Sequence, residues 1–372
     1  MSEIQEKVQR ALDRLVESGT ERGVQVSVYR HGEPVVEAVA GVADAATGRP
    51  VTPGTVFYNF SIGKAATSAV VHVLADRGVL DYGMRVVEVW PEFGAHGKDK
   101  VTLRHVLNHS AGVPGLPPDT SAEDLCDWDK MCAAVADAEP WWEPGTKAGY
   151  HAYTFGYIAG EIVRRATGNP ISRVLRDDVA APLGVDDELY FGMPESEHGR
   201  LATLEDATPD GDGAAGGDWA EIPADSPIFR AVPKELLPAA ALGNRTDILA
   251  ADIPAGGKTS ARATARMLAA MMDEVGGVRL ISPDRLREVT TAPVSGTDAV
   301  FGNPARWGLG YSLGLPVDPS LDSPTAFGMG GAGGSYGFGD PSAGVAFALT
   351  KNMVSRDFAT AAELIALVRK AG

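Results

Sequence analysis

The chain has 372 residues, 44% of them hydrophobic, so it can bury one large core or two smaller ones, and length alone predicts about two domains. Lys plus Arg number 33 against 49 Asp plus Glu, a formal net charge of -16. Repulsion then works against nucleic acid and anionic membrane surfaces as partners and leaves small polar or uncharged molecules open.

Met1 to Gly19 reads as an amphipathic helix with Ile4, Val8, Ala11, Leu12 and Leu15 on one side. It has neither the basic start nor the apolar run of a signal peptide, and no later segment has the roughly 18 apolar residues that cross a bilayer, so the expectation is a cytoplasmic protein. Val24 to Tyr29 alternates strictly, His31-Gly32 supplies a turn and Val35 to Val42 resumes an extended pattern, which predicts a β-hairpin. Then comes Phe60-Ser61-Ile62-Gly63-Lys64. From here Ile62, Ala65, Ala66, Ala69, Val70, Val73 and Leu74 recur at helical spacing, with a stop at Gly78.

Ser61 and Lys64 thus share one face at a helix start. Unpaired N–H groups and the positive end of the macrodipole favour negative charge developing there, and a desolvated lysine loses its proton readily enough to act as base for a serine. Ser-x-x-Lys arises by chance about once in a chain this long, so an N-cap serine with an exposed lysine is the plain alternative. Against it, this is the only such spacing in the sequence, and Ala65-Ala66 puts Lys64 on the apolar part of the helix.

Further along, Thr102 caps a short helix over 103–107, followed by the turn His109-Ser110-Ala111-Gly112-Val113-Pro114. A helix is predicted over 122–136, the turn Glu143-Pro144-Gly145-Thr146 leads to Tyr150, and helices follow over 155–167 and 171–179. The cysteines, Cys126 and Cys132, lack CxxC or zinc-ligand spacing and read as reduced core thiols. Periodicity disappears over 208–244, yet Trp219, Ile228 and Phe229 lie there, which predicts an ordered loop over a cleft. Thr259 is the expected cap of an Ala-rich helix through Met272. Strands over 334–339 and 345–349, joined by Asp340-Pro341, precede a last helix over 357–370. Strands at both ends with helices between them predict an α/β protein of the α+β kind, with one antiparallel sheet built from both termini and flanked by the terminal helices. Residues 1–85 and 245–372 would form the sheet subdomain and 86–244 an inserted, mainly helical one.

Three stretches stand in a telling order: Ser61-Ile62-Gly63-Lys64; Pro144-Gly145-Thr146 with Tyr150 and Phe155-Gly156-Tyr157; and Gly328-Met329-Gly330-Gly331-Ala332-Gly333-Gly334-Ser335. Together they resemble the serine β-lactamase and penicillin-binding protein superfamily, and within it the class C β-lactamase-like esterases called family VIII. The turn Leu107-Asn108-His109-Ser110-Ala111-Gly112 resembles that family's as well. The resemblance implies a β-lactamase/transpeptidase-like fold with Ser61 as acylated nucleophile, Lys64 as its partner and Tyr150 as second base, a phenolate beside an ammonium. It implies an oxyanion hole from the N–H groups of Ser61 and Ala332, bare backbone for substrate at Gly330 and Gly331, and no cofactor or metal. Met329, Trp219 and Phe229 are further candidates for substrate contact, and His151, beside Tyr150, either contacts substrate or packs behind the tyrosine.

The chain departs from class C β-lactamases in two places. Ala152 stands where they have asparagine, and Met329-Gly330-Gly331 where they have Lys-Thr-Gly, so the cationic handle for a carboxylate is missing. The expected activity is hydrolysis of small carboxylic esters through an acyl-enzyme, with acyl transfer in secondary metabolism, β-lactam or amide hydrolysis, and a non-catalytic ligand-binding relative as alternatives. The sequence is silent on oligomeric state. Three look-alikes are set aside: Gly333-Gly334-Ser335-Tyr336-Gly337 runs into a strand instead of a helix, Lys258-Thr259-Ser260 precedes a helix, and His109-Ser110 holds a turn.

Overall fold

The computed structural model describes residues 2–207, 222–223, 225–291, 294–355 and 357–370. A nine-stranded antiparallel sheet runs through it in the order 49–50, 33–44, 23–30, 345–351, 336–340, 327–330, 312–313, 304–307, 294–297. Both chain ends meet at its centre, where Val24 lies opposite Lys351 and Val28 opposite Phe347. The strands Val294–Thr297, Pro304–Trp307 and Ser312–Leu313 are absent from the sequence reading. They are short and largely solvent-facing, so no apolar alternation marks them.

Gly23–Arg30 alternates in sequence yet is buried on both faces, because helices cover both. Val24, Val26 and Val28 join Val8, Leu12, Phe347 and Leu364 under the terminal helices Glu3–Glu17 and Ala359–Lys370. Gln25 faces the helix Ala261–Met272 on the other side. Its amide donates to the carbonyls of Thr52 and Thr55 and its own oxygen accepts from Ala261 N–H, so a buried polar group costs little there.

Several predicted elements shift. The helix over 122–136 is two, Ala122–Leu125 and Trp128–Asp137, because the Asp127 carboxylate accepts Lys130 N–H and caps the second. The helix from Ile171 passes after Leu175 into a wider turn over Arg176–Ala180. Lys258–Thr259 is a short strand between Phe57–Tyr58 and Leu189–Tyr190, and Ser260, not Thr259, caps Ala261–Met272. Residues 208–221 and Ala224, hence Trp219, lie outside the described residues. The chain from Pro227 to Gly243 is not aperiodic: Pro227–Ala231 and Ala240–Gly243 are helical, and Ile228 and Leu236 are buried. Among the described residues no helix is long and apolar enough to cross a membrane.

Leu12 is fully buried between its helix and the sheet. Leu12→Ala is expected to lower the unfolding free energy by about 2–5 kcal/mol in chemical denaturation. A loss under about 1 kcal/mol would mean that the N-terminal helix is not packed as described.

Candidate active site

Ser61 lies in one tight turn, Phe60–Ile62, that runs straight into the helix Gly63–Asp76. Phe60 holds a φ of +46°, which a bulky side chain keeps only when its surroundings enforce it. The enforcement is visible. Asn59 N–H donates to Gly257 O (2.8 Å) and Gly257 N–H donates back to Phe60 O (3.0 Å), while the Asn59 amide donates to Thr259 O (3.0 Å) and Oγ1 (2.9 Å). Ser335, the look-alike nucleophile, is buried and donates its hydroxyl to Asn59 Oδ1.

Close backbone approach explains the glycines here. A Cβ on Gly63 would sit 2.3 Å from Gly257 N, and one on Gly331 2.2 Å from Asn59 O. Gly330 makes room for the Phe358 ring, 2.8 Å from where its Cβ would be. Close packing therefore accounts for both glycines without a substrate: Gly331 lets the chain after strand Phe327–Gly330 meet the Ser61 turn, and Gly330 admits the Phe358 ring.

Lys64 is 1% exposed, and its Nζ reaches Ser61 Oγ at 3.1 Å and donates to Ala255 O at 3.3 Å. Burial, with no offsetting carboxylate, pushes its pKa down to about 7. A large share of the amine is therefore neutral at ordinary pH, with its lone pair available to Ser61. Tyr150 closes the site. Its ring centroid lies 4.8 Å from Lys64 Nζ, and the ring stacks on Trp307 at 5.7 Å with His109 at 5.0 Å and Phe301 at 5.5 Å. Burial drives the phenol pKa upward, contact with the Ser61 hydroxyl pulls it partly back, and the Asp298 carboxylate adds to the rise. Burial thus works against the charged form of both groups, lowering the amine's pKa and raising the phenol's.

Two cavities meet at Tyr150. One, about 60 Å³ and apolar, is lined by Ser61, Ala332, Phe60, Ile228 and Leu237. The other, about 650 Å³ and more open, has Phe301, Trp307, Asp298 and Arg306 in its wall. The remaining candidates fall elsewhere. His151 is buried, its Nε2 accepting Val113 N–H (3.1 Å) and its Nδ1–H donating to Gly149 O (2.7 Å), so it supports the chain behind Tyr150 and lines neither cavity. Met329 is 3% exposed and belongs to the core. Phe229 packs near Lys234, while its neighbour Ile228 lines the small cavity. Ser110 donates to Asn108 Oδ1 (2.6 Å) and serves its turn. Sequence reasoning missed Asp298, which binds Tyr150 N–H at 3.2 Å, since an aspartate in an unflagged turn carries no distinguishing signal.

The sheet closed by both ends of one chain, over a helix that begins at a serine, puts the protein in the β-lactamase and transpeptidase-like fold class. Within that class the chain belongs to the beta-lactamase family, whose model matches residues 8–370. It is 34% identical to the esterase/beta-lactamase LipL of Mycobacterium tuberculosis over 94% of this chain and 82% of that one. Among solved structures, a family VIII carboxylesterase superposes with a TM-score of 0.89 at 33% identity, covering 100% of this chain and 98% of its own. EstA from Arthrobacter nitroguajacolicus superposes with a TM-score of 0.86 at 28% identity, covering 100% of this chain and 97% of its own.

Because Lys64 is a base only after losing its proton, the rate of Ser61 phosphonylation by a fluorophosphonate is expected to rise with pH to a plateau above about 7. Below the midpoint it should fall about tenfold per pH unit. A rate independent of pH across that range would contradict the assignment.

Proposed function

We propose that this chain is a serine carboxylesterase that hydrolyses small esters through an acyl-enzyme on Ser61. The observation that carries it is the buried Lys64 amine, 3.1 Å from Ser61 Oγ and without a neutralising anion. Ser61 Oγ attacks the ester carbonyl carbon while Lys64 Nζ takes its proton. The carbonyl oxygen gains the electron pair and rests against the N–H groups of Ser61 and Ala332. As the C–O bond breaks, the Tyr150 hydroxyl protonates the departing alkoxide, and the Lys64 proton then restores the phenol. Water repeats the sequence on the acyl carbon, and Ser61 recovers its proton. Relatives named as esterases support the same reading.

The two cavities support a division of the ester between them. The small apolar pocket at Ser61 suits a short acyl chain, and the wider cleft on the Tyr150 side suits the alcohol. A β-lactam brings a carboxylate next to the scissile carbonyl, and the residue in the matching position, Met329, is a core thioether. Arg245 is committed to Glu123 and Asp247, at 2.5 and 2.7 Å, which leaves Arg306 as the cation in the cleft wall.

Ser61→Ala is expected to lower kcat for p-nitrophenyl butyrate at least about 1,000-fold. The wild type should prefer butyrate to decanoate, and nitrocefin kcat/KM should lie orders of magnitude below that for butyrate, since an unpaired carboxylate is costly to desolvate. Retention of more than about a tenth of the rate by Ser61→Ala would overturn the nucleophile. Comparable nitrocefin and ester values would move the assignment to β-lactam hydrolysis, with Arg306 as the carboxylate's partner.

A further inference from the structure

We propose that Asp298 is a positioning residue for Tyr150, holding its backbone within reach of Ser61. This rests on the reading of Tyr150 as the group that protonates the leaving alcohol. The chain at Tyr150 is tied at three successive N–H groups: Gly149 donates to His109 O (3.0 Å), Tyr150 to Asp298 Oδ1 (3.2 Å) and His151 to His109 Nδ1 (3.1 Å). Asp298 supplies the one charged acceptor of the three. The same Oδ1 takes Val300 and Phe301 N–H, each at 2.9 Å, and Ala299 N–H donates to Ala148 O at 2.9 Å, so the Asp298 turn docks along the segment that carries Tyr150. That turn also places Phe301 against the Tyr150 ring.

Asp298 is 3% exposed, and its second oxygen, Oδ2, is buried without a partner. Holding three N–H groups needs only Oδ1, which an asparagine would supply as well. The titratable and charged groups around Tyr150 are Lys64 from the helix that follows Ser61, His109 and His151 behind the ring, Tyr153 three residues on, Asp298, and Arg306 in the cleft wall. Burial favours the neutral form of both histidines, with His151 lowered to about 4.

The test compares wild type, Asp298→Ala and Asp298→Asn with p-nitrophenyl butyrate across pH, taking the burst amplitude as the acylatable fraction and fluorophosphonate labelling as a check on Ser61. Asp298→Ala should lose about 10- to 100-fold in kcat per acylatable enzyme with KM little changed. Asp298→Asn should restore most of that loss, because its amide oxygen can accept the same three N–H groups. A wild-type kcat in Asp298→Ala, or a loss that Asn fails to restore, would overturn the backbone role. A wild-type protein that labels at Ser61 but turns over no ester would refute the proposed function instead.

Discussion

The desolvated amine of Lys64 against the hydroxyl of Ser61 is the interaction on which the site depends. An ammonium that is 1% exposed and met by Ala255 O, a serine hydroxyl and the Tyr150 ring has no anion to compensate it, and burial pushes its pKa down to about 7. No histidine is needed to make a base at ordinary pH. Burial supplies by environment what a relay of side chains supplies in a Ser-His-Asp site. Tyr150 obeys the same physics with the opposite outcome, since burial favours the neutral form of each group, a free amine in one case and a phenol in the other.

Such a site requires backbone packed tightly enough to exclude water, and the fold provides it by bringing distant segments together. The nucleophile turn is gripped from one side by Gly257 and Thr259 and from the other by Gly331 and Ser335 at the end of the central sheet. The strained φ of Phe60 persists because those contacts leave no alternative. The sheet in turn holds its register because the first and last hairpins pair at its centre beneath both terminal helices. An error in the terminal packing would therefore reach Ser61 through Gly331 without any residue at the site being changed.

Much of this was legible in the sequence, for reasons that differ by element. The terminal helices and the two central hairpins announce themselves through strong periodicity and turn residues, and Ser61 with Lys64 through a unique spacing at a helix start. Tyr150 was found by its place after a Pro-Gly-Thr turn. The features that stayed hidden depend on contacts between segments far apart. Gly330 and Gly331 read as room for substrate because nothing local reveals Phe358 or Asn59 O on the other side. For His151, one residue from Tyr150, the sequence left substrate contact and packing behind the tyrosine both open, and its ring is spent on Val113 and Gly149. Asp298 carries no local motif, and its relation to Tyr150 exists only once the chain has closed over 148 residues.

The most direct measurement is the titration of Lys64 itself, by NMR on protein labelled with ¹³C at the lysine ε-carbon. Lys64→Met assigns the signal, and Lys258→Met distinguishes the other buried lysine, whose pKa burial also pushes down to about 7. A Lys64 midpoint near 7 is the result that a desolvated, uncompensated amine requires. A midpoint near the ordinary lysine value of about 10.4 would show that the ammonium persists at the pH of catalysis and that Lys64 is not the base.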